Sequence, residues 1–190
     1  HFSSDQVLGA CEDCAGTGTQ SRCSPARLVT HPERSLRQGA LAGTKPGRFL
    51  GEPGGQYLAT IAAVLGEREL DRPWTELSDH AKAVSLHGSG DQVISVTWRY
   101  QRGARTGEHA FEGTWDGLCG RVEHEARLRA RRKDASEWQA LLEDLPCPTC
   151  NGERLNARAR TVFIGHLNLP ALLNVALHSL SDALDTRGLS

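Results

Sequence analysis

At 190 residues, with 38% hydrophobic and 24% charged residues, the chain is long enough to bury a core and has an ordinary globular composition. Its formal net charge of −1 excludes any argument for a polyanionic partner from bulk charge alone. No apolar run approaches the roughly 18–20 residues of a bilayer-spanning helix, and no basic-then-apolar signal pattern is seen, so the expected setting is cytoplasmic, away from membranes.

Read in chain order, the sequence has no Met and opens on His1-Phe2-Ser3-Ser4, which suggests a piece of a longer protein. Residues 1–22 hold a Cys11-Glu-Asp-Cys14-Ala-Gly16 knuckle. Residues 23–55 are rich in Pro and Gly with weak periodicity, and are expected to run mostly as surface loop. Tyr57, Leu58, Ile61, Val64 and Leu65 follow helical spacing, predicting a helix over about 56–67. A second helix is expected at about 79–87, capped by Ser78 and stopped by Gly88.

Ile94, Val96, Trp98 and Tyr100 alternate with more polar residues, the period of a half-buried strand. Gly103 and Gly107 suggest a hairpin returning through about 106–112. From Trp115 to Lys133 the pattern is helical, with Leu118, Val122, Ala126 and Ala130 in one stripe. Asp134 is expected to cap a further helix bearing Trp138, Leu141, Leu142 and Leu145, ended by Pro146. The second knuckle, Cys147-Pro-Thr-Cys150-Asn-Gly152, comes next, then a strand at Thr161–Ile164 and a mostly helical tail at 171–186.

The two knuckles carry the clearest chemistry. One Cys-x-x-Cys is shared with redox motifs, but two copies with the same trailing Gly point to a single metal held by Cys11, Cys14, Cys147 and Cys150. Four thiolates close the coordination sphere, so the ion would be a structural Zn²⁺ and not a catalytic one. The competing reading is two unconnected pairs, one of them redox-active or disulfide-bonded. Cys119 is expected to pack as a small apolar residue and Cys23 to be a spare thiol.

Charge is unevenly spread. Residues 99–133 hold nine Arg or Lys against five acids, whereas 51–98 hold three against seven. The candidate contacts to a nucleic-acid backbone are Arg99, Arg102, Arg105, Arg121, Arg127, Arg129, Arg131, Arg132 and Lys133. The last five crowd what reads as two turns of helix. The bland alternative is a solvated helix face paired with Glu123, Glu125, Asp134 and Glu137. There is no Walker phosphate loop, since Gly43-Thr-Lys45-Pro-Gly47 lacks its spacing, and no metalloprotease or Gly-x-Ser-x-Gly motif, so this stretch is not expected to be an enzyme by itself.

Taken together, several blocks resemble the UvrA family of bacterial nucleotide excision repair. They are His1-Phe2-Ser3-Ser4 with Gly9-Ala10-Cys11-x-x-Cys14-x-Gly16-x-Gly18, then Ser35-Leu36-x-x-Gly39-Ala40, Pro73-Trp74-x-x-Leu77, Leu86-His87-Gly88, Phe111-Glu112-Gly113 and Cys147-Pro148-x-Cys150-x-Gly152-x-Arg154-Leu155. The resemblance covers essentially the whole chain. It implies an α+β fold in which a small four-cysteine zinc module (1–22 and 146–190) carries an inserted domain (23–145) of several helices and a short antiparallel sheet.

It also implies an arm of an ABC-type ATPase that helps to clamp double-stranded, damaged DNA. The parent would bind ATP and Mg²⁺, pair with a dimer mate and engage UvrB. Cys23-Ser24-Pro25-Ala26-Arg27 and Gly120-Arg121-Val122-Glu123 depart from the family's usual acidic and Arg-Arg-Tyr stretches, which suggests a divergent paralogue. From a different class, Cys-x-x-Cys-x-Gly-x-Gly is also the zinc repeat of J-domain chaperones, which bind unfolded polypeptide. A purely structural spacer is the third reading.

Overall fold

A computed structural model of the chain describes residues 3–6, 8–102, 105–164, 166–176 and 179, with the side chains of residues 99–102 and 105 outside that description. The expected turn at Gly103, the opening His1-Phe2 and the tail helix beyond residue 176 (Ser179 apart) lie outside the described residues. The chain forms two compact units: residues 22–143 make one, and residues 1–21 with 144–190 make the other. The mixture of helices and two-stranded sheets is α+β.

The 22–143 unit is built where apolar periodicity is strongest. Helix α3 (Gln56–Leu65) buries Tyr57, Leu58 and Ile61, and Gly66, at φ 93°, ends it. Helix α4 (Asp79–His87) starts where the Ser78 side chain accepts from the Ala81 N–H, and Gly88 closes it at φ 99°. Strands β2 (Val93–Arg102) and β3 (Arg105–Thr114) pair antiparallel from Val93↔Thr114 to Arg102↔Arg105. Ile94 and Val96 face the core, as their alternation predicts. Helix α5 (Gly117–Leu128) buries Leu118, Val122 and Ala126 at successive i+4 positions and packs on α4, while α3 packs on β2.

Between the two knuckles, three expectations need correction. The 23–55 segment is no surface loop: Leu28, Leu36, Ala40, Leu41 and Leu50 are at most 1% exposed. Short helices α1 (Pro25–Leu28) and α2 (Lys45–Leu50) punctuate it. Elsewhere its backbone finds partners without regular structure, His31 N–H on Ala40 C=O and Trp74 N–H on Arg34 C=O among them. Second, α5 stops at Leu128 rather than Lys133, and Ala130 is exposed, not part of a stripe. The run of like charges has no apolar face to bury, so packing cannot offset its self-repulsion in a helix.

Third, only Ala135–Gln139 (α6) is helical in the stretch expected to reach Leu145. Asp134 sits at its N-cap position without a side-chain cap bond. Trp138 and Leu141 are buried, but Leu145 is 43% exposed. Residues Leu142–Pro146 form a strand, β4, paired with β1 (Thr19–Cys23).

In the unit of residues 1–21 and 144–190, the two knuckles are followed by α7 (Ala157–Arg160), capped by Asn156. The expected strand at Thr161–Ile164 shrinks to β5 (Phe163–Ile164), paired with β6 (Leu167–Asn168). Helix α8 (Leu169–Leu173) follows.

Candidate metal centre and basic surface

The four knuckle cysteines converge. Their sulfurs lie within 4.8 Å of one another, with Cys11–Cys147 at 3.9 Å and Cys14–Cys150 at 3.7 Å. All four are buried. A tetrahedral ion with metal–sulfur bonds of about 2.3 Å sets its sulfurs about 3.8 Å apart, so this donor set fits one metal ion and no open coordination position. None of the six cysteines is paired in a disulfide, and the two knuckle pairs meet in one cluster.

The backbone explains why these residues are needed at this spacing. Each knuckle turns through two consecutive left-handed residues, Ala15–Gly16 (φ 49° and 81°) and Asn151–Gly152 (φ 51° and 86°). A Cβ on Gly16 would sit 1.9 Å from the Ser4 carbonyl oxygen, so only glycine fits. The knuckles then brace each other reciprocally. The Cys11 N–H donates to the Arg154 carbonyl at 2.8 Å, and the Cys147 N–H to the Gly18 carbonyl at 2.9 Å. Gly18 and Arg154 hold equivalent places, four residues past the second cysteine of each knuckle, and both have positive φ.

Electrostatics suit a cation at this point. Burial raises the Cys14 thiol, but hydrogen bonds, chiefly from the Gly18 N–H and from Cys150, outweigh it and bring the group to about 7. Burial dominates at Cys150 and pushes it up to about 11 against the N–H groups of Arg154 and Gly152. The two thiols titrate together across 3.7 Å, and a divalent ion bound by both needs both deprotonated.

Cys23 and Cys119 play no part in the centre. Both are buried in the 22–143 core, where the hydrogen bond to Cys119, then burial, push the Cys23 thiol far up.

The candidate basic residues separate by what they touch. Arg129 is taken: its guanidinium bonds Glu125 at 2.8 Å and Asp134 at 2.9 Å and lies 5.1 Å over the Trp138 ring. Arg121 lies 5.6 Å over Tyr57. Arg127, Arg131, Arg132 and Lys133 are exposed and have no carboxylate partner among the described residues. The acids of the bland alternative are engaged by other groups, Glu123 by Arg22, Glu125 and Asp134 by Arg129, and Glu137 by Lys45 at 2.5 Å. Of the pairing in that alternative, only Arg129's is present among the described residues. The side chains of Arg99, Arg102 and Arg105 lie outside the described residues, although their backbones flank the hairpin's far end.

Arg129→Ala is expected to lower the stability of the 22–143 unit by about 1–3 kcal/mol, since it strips two partly buried carboxylates and the Trp138 face. Urea unfolding followed by tryptophan fluorescence measures this.

Residues 25–135 match the family model described as the UvrA DNA-binding domain. The chain belongs to the UvrA family. It is 34% identical to UvrABC system protein A of Xanthomonas campestris pv. campestris over all of its own length and 18% of that protein's. Against UvrABC system protein A of Salmonella typhimurium it is 31% identical, covering 95% of the chain and again 18% of the relative. The chain thus spans about a fifth of these UvrA proteins. A crystal structure of UvrA2 from Deinococcus radiodurans shares the fold at TM-score 0.65 and 23% identity, covering 97% of the chain and 23% of UvrA2. No described helix is long and apolar enough to cross a membrane.

The blocks that resemble UvrA have structural work in this chain. Ser35, Leu36 and Ala40 are 0–1% exposed, and Trp74 and Leu77 are buried. Neither cysteine spacing nor charge counting singles out Gly18 and Arg154 as knuckle braces. Their shared offset from each second cysteine is the signal in the sequence that marks them.

Proposed function

We propose that this chain is a DNA-contacting arm joined to a structural Zn²⁺ module, part of a UvrA-type ATPase acting in damage recognition during nucleotide excision repair. The observation that carries it is a set of four exposed cations, Arg127, Arg131, Arg132 and Lys133, within and just past α5 and inside the segment matching the UvrA DNA-binding domain. None of the four has a carboxylate partner among the described residues. Cations crowded without acids repel one another, and a polyanion answers that repulsion. The hairpin arginines Arg99, Arg102 and Arg105 are proposed to join them.

The contact is with phosphates, so it carries no base sequence and serves a protein that must meet chemically different lesions. ATP and Mg²⁺, the dimer mate and UvrB belong to the parent protein in this reading, in the cytoplasm. The chaperone-like alternative loses its footing with the family membership.

The decisive measurement is the salt dependence of binding to an undamaged, arbitrary duplex. Each neutralised phosphate contributes about −0.9 to the slope of log K against log salt, so the triple variant Arg131→Ala, Arg132→Ala, Lys133→Ala should flatten the slope by roughly 2–3. Binding that is insensitive to salt, or a variant with the original slope, overturns the electrostatic reading and leaves a structural spacer.

A further inference from the structure

We propose that the 22–143 unit holds a second ligand site, a cavity that takes one planar nucleobase displaced from its stack. The inference rests on the DNA-contacting reading above, but uses different residues. The cavity, of about 220 Å³, is framed by Gln56 and Tyr57 of α3, Trp98 and Phe111 of the hairpin, Trp115, and Arg121 of α5. That is below the roughly 300–1,000 Å³ of pockets for drug-sized ligands, which matches a single ring system.

Its walls are aromatic and held in place. Trp115 is 5% exposed and its indole N–H donates to the Val84 carbonyl at 3.0 Å. Tyr57 packs beside it with ring centroids 6.3 Å apart. Phe111 folds across the backbone of Gly113, where an added Cβ would meet the ring at 2.7 Å. The Phe-Glu-Gly block thereby gains a physical reason: the glycine leaves room for the ring that lines the cavity. Phe111 keeps 41% of its surface exposed, a large apolar ring left open to solvent at the mouth of the cavity.

Polar groups select the ligand. The Arg121 Nε is buried and makes no hydrogen bond, and the guanidinium has no carboxylate partner among the described residues. Arginine only donates, so a ligand group meeting it here is an acceptor, as are the ring nitrogens and carbonyl oxygens on base edges. Asp116, on the same cavity, can accept from an exocyclic amine and disfavours a phosphate. Aromatic walls with a donor and an acceptor among the lining side chains suit a base, whose face stacks on any aromatic and whose edge is polar on both counts.

The test is fluorescence anisotropy of the full chain with two short duplexes of one sequence, one fully paired and one with a single bulged guanine. The bulged duplex should bind roughly tenfold more tightly. Phe111→Ala should erase the preference and leave paired-duplex affinity unchanged, with an unchanged thermal melt reporting an intact fold. Arg121→Gln should reduce the preference as well. Free deoxyguanosine monophosphate that abolishes the preference would support the cavity with a free nucleotide as its occupant. A monophosphate without effect would support it with a strand-borne base. Equal affinity for the two duplexes, or a preference that survives both substitutions, overturns this site alone. Binding to neither duplex overturns both readings.

Discussion

Cys150→Ala, or removal of metal by a strong chelator, is expected to unfold the 1–21 and 144–190 unit while the 22–143 unit keeps its own melting transition. The four thiolates are the buried centre of the smaller unit, where Cys11, Cys14, Cys147 and Cys150 form an apolar cluster of their own. Removing one ligand leaves three buried sulfurs without a common partner. A structural ion accounts for roughly 10–16 kcal/mol of apparent binding free energy in comparable sites, more than a small unit can replace by packing.

The larger unit has a separate core, from Leu28 through Trp74 and Leu118 to Leu141. Calorimetry with metal analysis checks both halves of the expectation. The metal-loaded protein should hold one equivalent of zinc and lose it as pH falls, because every ligand must be deprotonated. A single transition that vanishes as a whole in Cys150→Ala would mean the two units do not fold independently.

Gly117→Ala should strongly destabilise the larger unit. Gly117 has φ 80°, and a Cβ there would lie 2.3 Å from the Leu86 carbonyl oxygen; across the same crossing, a Cβ on Gly88 would lie 2.0 Å from the Trp115 carbonyl oxygen. Two backbone segments touch here with no room for any side chain. The Ser89 N–H donating to Trp115 C=O at 2.9 Å, and the Trp115 indole donating to Val84, lock them together. Neither neighbour can move without breaking these bonds, so the cost is on the order of 3–5 kcal/mol.

Gly90→Ala is the control, because Gly90 has φ 60° with open space around it, and only the left-handed backbone penalises alanine there, by about 1–2 kcal/mol. Urea unfolding followed by tryptophan emission separates them. Equal losses would show that the crossing is soft.

How far the sequence can be read depends on whether an element is specified locally. α3, α4 and the β2–β3 hairpin follow from periodicity and from caps at Ser78 and Gly88, features that act within a few residues. β4 is hidden from such a reading. Trp138, Leu141 and Leu145 satisfy a helical pattern, while the strand exists only through pairing with β1, far away in the chain. The buried 23–55 segment is hidden for a similar reason. Arg34 and Arg37, which flank the buried Leu36, are tied through the backbone to Trp74 and Leu70, and no repeat in the sequence announces that pairing.

The convergence of Cys11, Cys14, Cys147 and Cys150 is legible because the two knuckles repeat one pattern. The basic surface is legible only as a count of charges. Which cations are left without an acid depends on Arg129 taking both Glu125 and Asp134, and only the folded chain decides that.

The strand pair β1–β4 has one more consequence. The chain leaves the smaller unit after Ser21 and re-enters at Asp144, and those two side chains are hydrogen-bonded to each other. The ends of the long excursion are thus held as neighbours whatever lies between them. The entropy of closing such a loop grows only logarithmically, with about 0.6 kcal/mol for each doubling of its length. The position is therefore permissive to length: segments of very different size could be exchanged there during evolution, or trimmed to a tight turn in the laboratory, with the cysteine pairs still in register.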